Sequence, residues 1–153
     1  MENEKRSGKA VPDLLLYSDL YKNSRIGEDA CARAAGKAAG LGLRQELADA
    51  MNQFSDYSHR AAEMLTAAGA EAKDITALDA LPAELGFSIG TALDPSDPHI
   101  AELMLDTLNG SVTDMKKAQK ECAARGCSQD ACRSAEEWIQ GCSHRAERLR
   151  EFL

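Results

Sequence analysis

Residues 70–97, AEAKDITALDALPAELGFSIGTALDPSD, decide how this chain folds. They lie between the second and third of four long stretches whose apolar residues recur at helical spacing. The other two junctions are turns of a few residues. Short junctions make antiparallel neighbours of the helices they join, and one long connection marks a particular kind of bundle.

Outward from that gap, the boundaries follow from local signals. Pro12 sits where a helix can begin, so the first helix is expected over Asp13–Ala39, after a charged, flexible tail at residues 1–11. Gly40 and Gly42 mark the next turn. The second helix is expected from about Leu43 to Ala68 and stops at Gly69. Within the connection, a short helix is expected near Pro82–Leu93. Asp94-Pro-Ser-Asp97-Pro98 reads as a turn and a cap, with Asp97 capping and Pro98 at the first helical position. A third helix then runs over Pro98–Ala124. Gly126 breaks it, Ser128 caps the fourth, and the fourth reaches nearly to Leu153. The expected fold is all-α: one domain over residues 12–153, an up-down four-helix bundle with one long crossover (about residues 70–97) between helices 2 and 3. This is the ferritin-like arrangement.

Phase assigns the inner faces at about 100° per residue. Helix 2 should bury Leu43, Leu47, Met51, Phe54, Ser58, Ala61 and Leu65. Helix 3 should bury Ile100, Met104, Leu108, Ser111, Met115, Ala118 and Cys122. For helix 4 the buried set is Ala131, Ala135, Trp138, Cys142, Leu149 and Phe152. Helix 1 carries mostly small residues on one line (Leu16, Leu20, Ser24, Gly27, Cys31, Ala34, Ala38), which suits close approach to its neighbours.

Composition bounds the function. A chain of 153 residues can bury one real core. Aromatics supply only 5% of it, and Val and Ile are scarce, so the core is Leu, Ala, Met and Cys and no sheet is expected. A net charge of −7 disfavours nucleic acid and anionic membranes as partners. No apolar run reaches the roughly 18–20 residues of a membrane span, and Met1–Lys9 lacks the apolar stretch of a signal peptide. The 5 cysteines, an odd number, do not suit a secreted disulfide framework, so a cytoplasmic setting is expected.

Four stretches carry a resemblance: Leu20-Tyr-Lys-Asn-Ser-Arg-Ile-Gly-Glu28, His99-Ile-Ala-Glu-Leu-Met104, Ser111-Val-Thr-Asp-Met115 and Glu147-Arg-Leu-Arg-Glu-Phe-Leu153. Across Asp19–Leu153 the chain resembles a family of small clostridial ferritin-like proteins of unknown function. The resemblance implies the four-helix fold and a bacterial cytoplasm, and it implies no activity.

Ferritin-like bundles commonly hold a di-iron or di-manganese centre, with a Glu on each of two helices and Glu-x-x-His on the others. Glu-x-x-His is missing from this sequence, so no standard centre, cofactor or catalytic residue is expected. His59 (with Asp56 and Glu63), His99 (with Glu102) and His144 (with Glu147) fall on outward faces and read as solvated. Nearer the interior stand Glu28, Asp114 and Arg145. A buried charge must find a partner, so Arg145 is expected to pair with Glu28 or Asp114.

Two metal readings stay open beside this. One is iron or manganese on non-standard carboxylates: Glu28 and Asp114, with Glu137 or Asp56. The other is zinc or redox chemistry at Cys122, Cys127 and Cys132, which cluster about the turn between helices 3 and 4, with Lys120, Arg125 and Arg133 supplying a positive field. Cys31 and Cys142 read as small core residues. Tyr17, Tyr21 and Tyr57 read as a packing contact between helices 1 and 2. No phosphate loop, dinucleotide fingerprint or nucleophile elbow occurs. The function expected is therefore a structural or interaction protein. A possible homodimer would use the outer face of helix 1, where phase exposes Leu14, Leu15 and Ile26.

Overall fold

The computed structural model describes the backbone of residues 2–79 and 94–153, with side chains from residue 11 onward within those spans. Among the described residues there are five α-helices and no strand. They are α1 (Glu2–Lys37), α2 (Leu41–Ala67), α3 (Ala72–Leu78), α4 (Asp97–Ala124) and α5 (Gln129–Leu149), closed by a 3₁₀ turn at Arg150–Phe152. No described helix is long and apolar enough to cross a membrane.

Four of the helices are long and share one core. Neighbouring pairs run antiparallel, as their contacts require. Gly27 of α1 faces Phe54 of α2. Asp97 at the start of α4 reaches Ala39 just beyond the end of α1, and Cys122 near the end of α4 reaches Pro12. Gln119 of α4 bonds the Cys132 carbonyl of α5, and Cys142 of α5 lies against the Leu108 carbonyl of α4. Ser134 of α5 meets Met64 of α2, while Arg145 meets Glu46.

The stripe expected on helix 1 is buried throughout: Leu16, Leu20, Ser24, Gly27, Cys31, Ala34 and Ala38. Its small residues leave room for the two largest buried rings, Phe54 and Trp138, whose centroids stand 6.1 Å apart. Trp138 Nε1 donates to Ser24 Oγ at 3.0 Å, and Ser24 Oγ donates to the Leu20 carbonyl, so the indole N–H is satisfied in the core. The inner faces of α2, α4 and α5 are close to those expected. Met51, Ala118 and Phe152 are only half-buried, whereas Glu46, Ala101, Leu105, Val112, Ile139 and Ala146 are buried as well. Ala146 continues the predicted line between Cys142 and Leu149, and each of the others flanks a predicted residue, because a helix packed between two neighbours buries a stripe wider than a single line.

Several boundaries differ from expectation. Helix α1 extends back to Glu2, so the backbone of residues 2–11 is helical and Pro12 lies inside the helix rather than at its start. Proline there removes the N–H that would bond back one turn and crowds the carbonyl four residues earlier, a cost that the rest of a long helix can absorb. The short helix of the connection is at Ala72–Leu78, while the one expected near Pro82–Leu93 falls outside the described residues. Asp97 does not cap its own helix. Ser96 is the N-cap residue, and the Asp97 carboxylate instead accepts the Ala39 and Gly40 N–H groups at 2.8 and 2.9 Å, clamping the α1–α2 turn.

The connection's first part is tied to α1. Tyr21 donates to Asp79 Oδ1 at 2.6 Å, and Arg25 lies 3.3 Å from the same oxygen. Helices α2 and α4 both end on a glycine with positive φ, Gly69 (102°) and Gly126 (82°). After each, two N–H groups fold back onto the last turn: Gly69 to Thr66 and Ala70 to Leu65, Gly126 to Ala123 and Cys127 to Cys122. This is the Schellman arrangement, which needs a residue tolerant of the left-handed region.

A Cβ placed on Gly27 would stand 2.9 Å from three carbons of the Phe54 ring. The ring is fully buried and cannot retreat, so Gly27→Ala should cost about 1–3 kcal/mol by overpacking. Urea unfolding should show that loss, and Phe54→Leu in the same chain should recover part of it.

Candidate functional site

Two polar clusters stand out, and α5 carries a part of each. Cys132 and Arg145 are thirteen positions apart on that helix, about 20 Å at 1.5 Å per residue.

The first cluster is between α2 and α5. Glu46 of α2 is only 4% exposed, and its two oxygens accept from two guanidinium groups of α5. Arg145 Nη1 donates to Oε1 at 3.0 Å, and Arg148 Nε to Oε2 at 2.8 Å. Arg145 Nε also donates to Gln53 Oε1 at 2.5 Å, and Gln53 Nε2 donates to the Tyr57 hydroxyl at 2.8 Å. A carboxylate with a cation on each oxygen keeps its charge inside the protein, because each bond to it is charge-assisted. Among the described residues no buried side-chain nitrogen or oxygen lacks a partner.

Arg145 therefore does find a carboxylate, but a different one from those expected. Glu28 sits at the edge of α1, where it takes Arg25 at 2.9 Å, and Asp114 is exposed on α4. Both lie further round their helices than the buried line. Glu46 was missed because it directly precedes Leu47 of the buried line and a carboxylate reads as solvent-facing. Its i, i+7 relation to Gln53 is the signal that could have found it. The other proposed carboxylates, Asp56 and Glu137, are exposed. His59 and His144 are exposed too; His99 is half-buried, with Nδ1 3.6 Å from Glu102.

The second cluster is at the α4–α5 turn, and local sequence builds it. The Schellman arrangement at Gly126 folds Cys127 back over Cys122, since residues at those two positions touch. Ser128 caps α5, its Oγ accepting the Ala131 N–H at 3.1 Å. The residue before a cap packs on the fourth residue of the helix, which is Cys132. Cys127 therefore meets both other thiols, and its Sγ is 3.0 Å from that of Cys132. Asp13 of α1 completes the group: its Oδ1 accepts the Ser128 N–H at 2.8 Å. Ligand atoms of Asp13, Cys122 and Cys127 lie within 4.8 Å of one another.

The electrostatics differ from the positive field expected. Lys120, Arg125 and Arg133 are exposed, and Arg133 turns to Asp130 at 3.7 Å. Among the described residues the charge beside the thiols is the Asp13 carboxylate. Burial, then the hydrogen bond to Cys122, pushes the Cys127 thiol up; the hydrogen bond to Cys127, then burial, pushes Cys132 up to about 11; burial raises Cys122. These groups are thiols at neutral pH, not reactive thiolates.

The tyrosines do not form one contact. Tyr17 lies beside Asp13 and Ser128 at the turn, Tyr21 holds Asp79, and Tyr57 packs edge-on against Phe54.

No protein-family model, curated protein or solved structure matches the chain.

Two outcomes follow from the interior. Glu46→Ala would leave Arg145 and Arg148 without their carboxylate. Because Arg148 is half exposed, the loss should be about 2–3 kcal/mol, below that of a fully buried pair, and replacing Glu46 and Arg145 together by Leu and Met should recover most of it in urea titrations. Burial also pushes the Cys31 and Cys142 thiols from 9.0 up to about 12. The folded state favours the protonated thiols, so their contribution to stability is full below about pH 9 and is lost as pH rises toward 12. Tyr21, also raised to about 12, adds in the same direction from its ordinary value of 10.0. The urea midpoint should fall over that range, and Cys142→Ala should flatten the fall.

Proposed function

We propose that this chain is a ferritin-like four-helix bundle that serves as a structural or interaction protein and has no dinuclear carboxylate centre. The observation that carries this reading is the Glu46 network. Among the described residues Glu46 is the buried carboxylate, and both of its oxygens are engaged by guanidinium groups. A cation approaching that carboxylate would have to displace one positive charge and would meet the other. The interior is built around an internal ion pair, which serves rigidity and register rather than catalysis.

The ferritin-like arrangement is supported by helix directions. Helices α2 and α4 each run antiparallel to both α1 and α5, so they run parallel to each other, and the chain between them must traverse the bundle's length. The likeness to small clostridial ferritin-like proteins points the same way and would place the protein in a bacterial cytoplasm. A homodimer is the partner proposed for the outer face of α1. There Val11 and Leu15, one turn apart, are each 50% exposed, while Leu14 and Ile26 are half-buried and contribute less than phase alone suggests.

Elemental mass spectrometry on untagged protein from iron- and manganese-supplemented medium tests the reading. Only traces of both metals are expected. About two equivalents of either per chain would overturn it and return attention to Glu28 and Asp114.

A further inference from the structure

We propose that Asp13, Cys122, Cys127 and Cys132 form a binding site for a thiophilic divalent cation of the zinc class, held at the α4–α5 turn and tying it to α1. The inference stands apart from the function proposed above, since the site shares no residue with the Glu46 network.

Three arguments carry it. The first is geometric. Zinc bonded to sulfur at about 2.3 Å in a tetrahedron sets its ligands about 3.8 Å apart. Ligand atoms of Asp13, Cys122 and Cys127 lie within 4.8 Å of one another, and Cys132, outside that trio, has its Sγ 3.0 Å from the Cys127 Sγ. Closing the site asks for side-chain rotation about a backbone already set by the Gly126 turn and the Ser128 cap.

The second is chemical. Packing at a Schellman turn and before an N-cap asks only for apolar side chains, and leucine would serve. Here all three contacting positions are cysteine, and a carboxylate faces them. Thiolates select zinc, cadmium or copper(I), the carboxylate oxygen beside them favours zinc or cadmium over copper(I), and all-oxygen sets suit magnesium or calcium. The Ser128 N–H on Asp13 Oδ1 is the outer hydrogen bond that orients a ligating carboxylate.

The third is access. Cys127 and Cys132 are half-buried rather than sealed, and a groove between α1 and α4, lined by Pro12, Asp19, Glu121 and Arg125, opens beside Cys122. On binding, each thiol gives its proton to solvent as its sulfur bonds the metal, so no oxidant or reductant is needed.

The test uses the full untagged chain, reduced and stripped of metal. Cobalt(II) serves as probe, and zinc as competitor. One equivalent of cobalt should give intense near-ultraviolet sulfur-to-metal absorption with tetrahedral visible bands, and zinc should bleach both. Zinc should raise the thermal midpoint of this protein, and Cys127→Ser should weaken zinc binding at least tenfold. Asp13→Asn keeps an acceptor for Ser128 while removing the charge, so it should weaken zinc in a chain whose circular dichroism is unchanged. A pink octahedral cobalt spectrum without sulfur absorption would overturn the proposal. So would zinc affinity indifferent to both substitutions. A Cys127–Cys132 disulfide forming in glutathione buffer despite excess zinc would also overturn it, in favour of a redox pair.

Discussion

The small-residue face of α1 is the constraint on which the rest of the bundle depends. Along it, Ser24, Gly27, Cys31, Ala34 and Ala38 are all buried, and none is large. A helix with such a face can approach several neighbours at once, so the bulk of the core must come from the others. Phe54 is delivered from α2 onto Gly27, and Trp138 from α5 onto Ser24, where its N–H finds an acceptor. Larger residues on this line would force the rings outward and open the core, because interiors at crystal-like density have no slack to absorb them. From this position α1 also organises the periphery: Asp13 holds the α4–α5 turn, while Tyr21 and Arg25 hold Asp79 after α3.

The two polar clusters show opposite electrostatic solutions. In the interior, a deeply buried carboxylate is held by two guanidinium groups, one of them steadied in turn by a side-chain amide, so the charge is compensated and the group is chemically quiet. At the turn, three sulfurs gather beside a carboxylate, and the thiols hold their protons. The first arrangement stabilises a fold by itself. The second leaves a set of donors whose negative charge, once the protons leave, needs a positive centre.

Much of the fold was legible in the order of residues. The apolar period placed four long helices, Gly69 and Gly126 placed two ends, and Ser128 placed a cap. The line of small residues on α1 was read in full, since period alone determines which residues share a face. Pro12 misled, because a proline that suits a first turn is also tolerated inside a long helix, and the difference depends on packing beyond it. Asp97 misled for a related reason: a capping residue type beside a helix start can serve any nearby N–H, and here those of Ala39 and Gly40 come close in space. Arg145 was rightly singled out as a charge in need of a partner, but its partner lies ninety-nine positions away.

The sequence by itself determined the four long helices, the ends at Gly69 and Gly126 and most of the buried faces, because hydrogen bonds within a turn and the 3.6-residue period are local. It also determined the contacts of Cys127 with Cys122 and Cys132, since one glycine turn and one serine cap, both local, bring those side chains together. Only the tertiary structure decided that Glu46 would answer Arg145 and Arg148, and that Asp13 would face the thiols. Those pairings depend on how far each helix is rotated and shifted against its neighbour. That is settled by the packing of Gly27, Phe54 and Trp138, and no local pattern carries it.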